Sequence, residues 1–121
     1  MLRDDRGSVT AEMAAALPVL VLLLAVALSA VGAVTSQLRC VDAAREGARA
    51  AARGEAPARA TAVARQVAPP GSKVAVKTIG TTDGDAVVVT VNSRVPLLGR
   101  LLSSVAVGAQ ATALVEPEGP P

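Results

Sequence analysis

The chain contains no phenylalanine, tyrosine, tryptophan or histidine. The large rings that usually dominate cores, and that form stacking platforms for bases, are therefore missing. No imidazole is present to activate a serine or the cysteine, and zinc spacings that combine Cys with His cannot be built. The single cysteine, Cys40, excludes a disulfide within the chain. Net charge is only +2, and the basic residues are scattered among acids with no aromatic between them, which argues against a nucleic-acid surface. No glycine-rich phosphate loop precedes a helix, and no paired carboxylates share a cleft. Ser72-Lys73 sits in a turn rather than in a usable Ser/Lys pair. Neither a metal nor a cofactor is expected from this inventory, and an enzyme is not expected.

What the chain does have is one long apolar segment. Residues 13–38 carry no charge, and residues 17–28 are almost wholly Leu, Val and Ala. About 20 apolar residues cross the hydrocarbon layer, so this segment has membrane-spanning length. A helix apolar on all sides could alternatively be the buried core of a soluble protein, but the remaining chain is too small to wrap one. Pro18 lies early in the span, where a kink is tolerated in lipid. A secretory signal peptide shares the basic start and the apolar stretch. Its usual apolar region of about 7–15 residues is shorter than this one, and here helical periodicity continues beyond the segment. Removal after Ala30 or Ala33 would leave a secreted module beginning near Gly32 or Val34.

Residues 37–53, QLRCVDAAREGARAAAR, form a polar-striped, Ala-rich continuation. Asp42, Arg45, Glu46, Arg49 and Arg53 recur at helical spacing along one broad face. Val41, Ala44, Ala48 and Ala51 mark the other, with Ala43 and Gly47 adding small residues that let backbones approach. The pattern allows a partner-contacting helix, with Asp42, Arg45, Glu46, Gly47, Arg49 and Arg53 as its packing face, or merely a solvated charged stripe. Cys40 allows two readings as well: a small apolar side chain in a packed helix, or a thiol that bridges to a second chain.

Gly54 and Pro57 end this helix and start a short one over residues 57–68, with Val63 and Val67 on one side. Pro69, Pro70 and Gly71 stop it, and the period then changes to two. Residues 73–79 alternate, Val74 and Val76 opposite Lys73 and Lys77. Residues 80–85, GTTDGD, predict a turn whose Asp83-Gly84 pair suits positive backbone angles. Residues 86–95 form the clearest strand, with Val87, Val89, Val91 and Val95 against Thr90, Asn92 and Arg94. Pro96 breaks it, residues 97–102 make an apolar connection that needs cover, and residues 105–115 give a third strand. The predicted fold is α+β: a long N-terminal transmembrane helix continuing outside the membrane, then a short helix and a small three-stranded antiparallel sheet. The expected division is a polar leader at residues 1–7 with no structure of its own and a long helix at 8–54, spanning the membrane over about 13–35 and continuing beyond it over 36–54. A small domain follows at 55–115, with a disordered acidic, Pro-rich tail at 116–121.

The motif that carries function is Gly7-Ser8-Val9-Thr10-Ala11-Glu12, set between a polar heptapeptide and the uncharged span. A carboxylate at the mouth of a membrane helix is costly to bury and calls for a partner. In this placement the chain resembles the type IV prepilins, in which a membrane-embedded aspartyl peptidase cuts after the glycine and the glutamate becomes the fifth mature residue. The resemblance implies cleavage between Gly7 and Ser8, with Glu12 as the assembly carboxylate. The segment SQLRCVDAAREGARAAARGE, residues 36–55, narrows the match: it is similar to the TadE-like family of minor pilins in tight-adherence (Flp) pilus systems, and to its actinobacterial members in particular. The resemblance is close over the first half of the chain and holds only in outline beyond it. Ser8 replaces a bulky first mature residue, and Met13 follows Glu12 where major Flp pilins tend to have Tyr, which points to a minor subunit.

The resemblance implies a non-catalytic pseudopilin that takes part in pilus assembly and surface adhesion. The implied partners are the cytoplasmic membrane, the prepilin peptidase, the major Flp-type pilin with other minor pilins, and the pilus assembly platform. It also implies a single-pass topology with the C-terminal domain outside the cytoplasm. A count of positive charges points the other way, because Arg39, Arg45, Arg49 and Arg53 outnumber Arg3 and Arg6. The acids Asp42, Glu46 and Glu55 among those arginines, and the cytoplasmic peptidase site of prepilins, outweigh it. Two other readings stay open from the residues: an unprocessed single-pass envelope protein, or the secreted binding module, each recruiting a partner.

Overall fold

The computed structural model describes residues 2–99 and 101–115, with burial described from Arg6 onward. The expected tail at residues 116–121 lies outside the described residues. Element α1 is a single helix, Leu2–Ala52, of 51 residues, about 77 Å at 1.5 Å per residue. It runs through Pro18 without a break in assignment. It also includes Leu2 to Gly7, where the sequence predicts a leader without structure. No turn signal separates that leader from the span, so the helix continues through it.

The end of α1 is built from Gly54, at φ 81°. Its N–H donates to the Ala51 carbonyl at 3.0 Å, and the Glu55 N–H donates to the Ala50 carbonyl at 3.2 Å. This pair of bonds is a Schellman stop, which a positive-φ glycine makes inexpensive. Pro57 then sits in the first turn of α2, Pro57–Val67. Glu55 pairs with Arg53 at 2.9 Å and Arg59 at 3.7 Å across the elbow.

Strands β1 (Lys73–Thr81), β2 (Gly84–Val95) and β3 (Val105–Leu114) form an antiparallel meander in the order β1-β2-β3. Val76 pairs with Val89, which in turn pairs with Ala111. The first hairpin is tighter than the sequence predicts, because the ladder continues to the Thr81–Gly84 pair. Only Thr82 and Asp83 remain in the loop, and Gly84 alone takes a positive φ, at 127°. One glycine thus supplies the reversal expected of an Asp-Gly pair.

The core lies where α1 and α2 cover one face of the sheet. Its members are Cys40, Ala43, Ala44, Ala48, Ala50 and Ala51 of α1, Ala60 and Ala64 of α2, Ala68, and Val87, Val89 and Val91 of β2. On α2 the fully buried positions are Ala60 and Ala64, with the expected Val63 and Val67 partly buried beside them. Alanine wins the contact because only a methyl group fits between helices this close. The largest fully buried side chains are Val89, Val91 and Cys40. Close approach of backbones replaces the bulky side chains that the chain lacks.

Candidate functional site

Among the described residues no leucine is buried. Leu17, Leu20, Leu22, Leu23, Leu24, Leu28 and Leu38 all point outward from α1. The most apolar stretch of the helix has a mean hydropathy of 2.7, and none of it is buried. A soluble domain that kept its largest apolar side chains outside and its alanines inside would give up most of the hydrophobic effect. The arrangement fits a helix whose first half is surrounded by something other than water. By length and composition it can cross a membrane, carrying the C-terminal domain at its end.

At the start of that surface stand the motif residues. Gly7, Ser8 and Glu12 are exposed on α1, in a stretch with no tertiary neighbour. A Cβ built on Gly7 meets nothing within 4 Å. Packing therefore gives no reason for glycine here, although glycine costs a helix about 1 kcal/mol relative to alanine. Ser8 and Glu12 are four residues apart, neighbours on one helix face. Glu12 takes part in no ion pair among the described residues. The Gly7–Ser8 bond lies within helix, where a peptidase cannot engage an extended strand.

The upper half of α1 separates the residues grouped from sequence as one packing face. Asp42, Arg45, Arg49 and Arg53 are exposed, Glu46 is half-buried, and Gly47 is buried. The charged residues therefore stand apart from Gly47. Glu46 and Arg49 pair at 3.0 Å in an exposed setting, a contact of small energetic weight. The small-residue face packs on the chain's own α2 and β2. A Cβ on Gly47 would stand 3.0 Å from Val89 Cγ1, 3.2 Å from the Ala64 Cβ and 3.4 Å from the Ala60 carbonyl oxygen. Gly47 is thus the point where three elements meet.

Cys40 is completely buried in this core. Burial pushes its thiol pKa up, with the Arg39 charge pulling more weakly the other way. A bridge to a second chain would require the core to open.

Two polar clamps were not visible in the sequence. The Gln37 side chain accepts from the Gly108 N–H at 2.9 Å and donates to the Gly108 carbonyl at 2.7 Å. It satisfies the open edge of β3 as a neighbouring strand would. A Cβ on Gly108 would fall 2.5 Å from Asn92 Oδ1 and 2.9 Å from the Val91 carbonyl oxygen, so only glycine fits. An isolated glycine inside a strand pattern was the available signal. The Arg39 guanidinium donates to the Val67 and Ala68 carbonyls, both at 3.3 Å, and so covers the end of α2.

A sequence model described as TadE-like protein matches residues 7–49. The chain is also 43% identical over 106 residues to a Mycobacterium tuberculosis (strain ATCC 25618 / H37Rv) protein named apoptosis inhibitor Rv3655c, a match covering 88% of this chain and 78% of the relative. The chain belongs to the TadE-like family. The mycobacterial relative agrees with the actinobacterial type expected from residues 36–55. Membership makes this TadE-like chain a Tad pilus-associated protein of a membrane-linked system. The family match begins at Gly7 and ends at Arg49, taking in the motif, the exposed apolar helix and Gly47. No solved structure matches the chain.

Proposed function

We propose that this TadE-like protein is a minor pilin: a non-catalytic, single-pass subunit anchored in the cytoplasmic membrane that assembles with the tight-adherence pilus. Prepilin peptidase cuts it between Gly7 and Ser8, residues 13–35 span the membrane, and the α+β domain lies outside the cytoplasm. The observation that carries the reading is the exposed, leucine-covered half of α1 with Glu12 at its mouth, continuous with a half that is welded into a folded domain. Assembly then adds neighbours to a helix whose apolar surface is ready for them, first lipid and then other pilin helices. The major Flp-type pilin, other minor pilins and the assembly platform are the partners, and surface adhesion is the output.

Glu12 acts at this step. Cleavage creates an ammonium at Ser8, one helical turn from Glu12, and side chains on a helix lean toward its N-terminus. A charge pair in a low-dielectric setting forms only with good geometry, which the same subunit or its neighbour supplies. Glu12→Gln keeps size and removes charge, and Glu12→Ala removes both. Each variant is expected to be cleaved and inserted like the parent but recovered less with sheared pili. Equal recovery of both variants in the native host would show that Glu12 is only a boundary residue.

A further inference from the structure

We propose that the connection between β2 and β3 is a second membrane contact, dipping its leucines into the outer leaflet beside the helix; this rests on the reading of residues 13–35 as a membrane span. The connection, residues 96–102, reads Pro-Leu-Leu-Gly-Arg-Leu-Leu. Four of its seven residues are leucine, an apolar composition that suits a membrane surface. The domain half-buries Leu97 and Leu98 but leaves the other two outside: Leu101 is 89% exposed and Leu102 54%, a poor arrangement in water.

The connection folds back along α1 toward the N-terminus. Leu98 N–H donates to Ser29 Oγ at 3.1 Å, fixing its depth. Leu98 and Leu101 then face Pro18, Val21, Leu22 and Ala25 across an open apolar groove. A hydrocarbon layer that starts at Met13, just past Glu12, and follows the span to residue 35 places Ser29 about 9 Å inside its outer edge at 1.5 Å per residue, and the groove reaches deeper, to Pro18. Sliding the helix outward to keep the connection in water would draw the Glu12 carboxylate into hydrocarbon, where a charge is costly.

Part of the backbone here is already satisfied internally, which lowers the cost of placing irregular chain in hydrocarbon. Pro96 has no N–H, Leu98 N–H is held by Ser29, Leu101 N–H donates to the Leu98 carbonyl at 3.2 Å, and Leu102 N–H to the Leu97 carbonyl at 3.4 Å. Leu98 adopts φ 50° beside Gly99 at φ 68°. A left-handed leucine is a strained conformation and here turns the chain back onto the span. Acyl chains of the outer leaflet fill the groove and surround Leu101 and Leu102.

The test places an environment-sensitive nitrobenzoxadiazole label at Leu101→Cys, Leu102→Cys or, as the span control, Leu24→Cys, each in the Cys40→Ala full chain, whose fold is checked by protease resistance. The proteins are reconstituted in phosphatidylethanolamine–phosphatidylglycerol vesicles carrying nitroxides at the headgroup or deep on the acyl chain. Labels at 101 and 102 are expected to be blue-shifted and, like the label at 24, quenched several-fold by the acyl-chain nitroxide, because the groove that Leu101 lines reaches Val21 and Leu22 near the middle of the span. Quenching at 24 with water-like emission at 101 and 102 overturns the loop contact and leaves the span standing. No quenching at any site overturns the span and the loop contact with it. Blue-shifted labels at 101 and 102 that neither nitroxide quenches, with cross-linking between chains, would make this surface a protein interface instead and overturn the proposal.

Discussion

Replacing Gly47 by leucine is expected to destabilise the outer domain strongly while leaving the apolar half of α1 unaffected. The first added carbon already stands 3.0 Å from Val89 Cγ1 and 3.2 Å from the Ala64 Cβ. Three more heavy atoms must follow it into space held by α2 and by a central strand paired on both sides. Overpacking costs about 1–3 kcal/mol where neighbours can yield, and here the cost is at the top of that range. A small domain holds only about 5 kcal/mol in total. A loss of about 3 kcal/mol raises the unfolded fraction about a hundredfold. With no aromatic residue the protein has no intrinsic fluorophore, but Cys40 reports in its place, because its thiol is completely buried and reacts only when the core opens. Trapping by a polar maleimide in detergent or nanodiscs should therefore run about a hundredfold faster in Gly47→Leu. Gly47→Ala gains about 1 kcal/mol of helix propensity against a shift of a few tenths of an ångström in Val89 and Ala64, so it stays within about 1 kcal/mol of the parent. Exposed Arg45→Leu should change stability by no more than about 0.5 kcal/mol. Parent-like trapping of Gly47→Leu would refute the three-element contact.

Three further outcomes follow from the core and its clamps. Residues 56–121 alone lack the Cys40-to-Ala51 wall and should show collapsed, poorly dispersed amide NMR signals, whereas residues 36–121 should give a dispersed, cooperatively melting domain. Gln37→Ala leaves the Gly108 N–H and carbonyl unpaired, so amide exchange at Gly108 should accelerate with a cost of about 1–2 kcal/mol, and Gly108→Ala should cost at least as much by pushing β3 from Asn92. Because burial raises the Cys40 pKa, folded and unfolded thiols are both protonated at neutral pH; as pH rises past 9 the unfolded thiol ionises first, so stability falls. That fall has a limiting slope of about 1.4 kcal/mol per pH unit, read as urea midpoints by pulse proteolysis and reduced in Cys40→Ala.

Much of this architecture was legible because period and punctuation agree. The change from helical spacing to alternation at Lys73, the Pro69-Pro70-Gly71 stop and the Gly54/Pro57 elbow located the short helix and the three strands to within about two residues, whereas the start of α1 at Leu2 was missed. The division of labour along α1 was harder to read. Charged stripe and alanine stripe were both visible, yet nothing local says whether an alanine face meets its own domain or another subunit, since both need the same small residues. Gly47 was grouped with charged neighbours that the structure turns away from it. The clamps on Gly108 and on the end of α2 join residues separated by tens of positions, beyond any periodicity. The return of residues 97–102 onto Ser29 depends on the same kind of distant pairing. Its leucines signalled only that cover was needed, and not where it would come from.

The central claim, that this TadE-like chain is a processed pilin anchored by the leucine-covered helix, is tested most directly by the N-terminal residue of the protein purified from membranes of a host with prepilin peptidase. A processed pilin begins at Ser8, and its chain persists as a full-length precursor when Gly7 is replaced by leucine. An intact Met1 in the parent would make the chain an unprocessed single-pass envelope protein, and a start near Gly32 or Val34 would make it a released module. Either result would contradict the account.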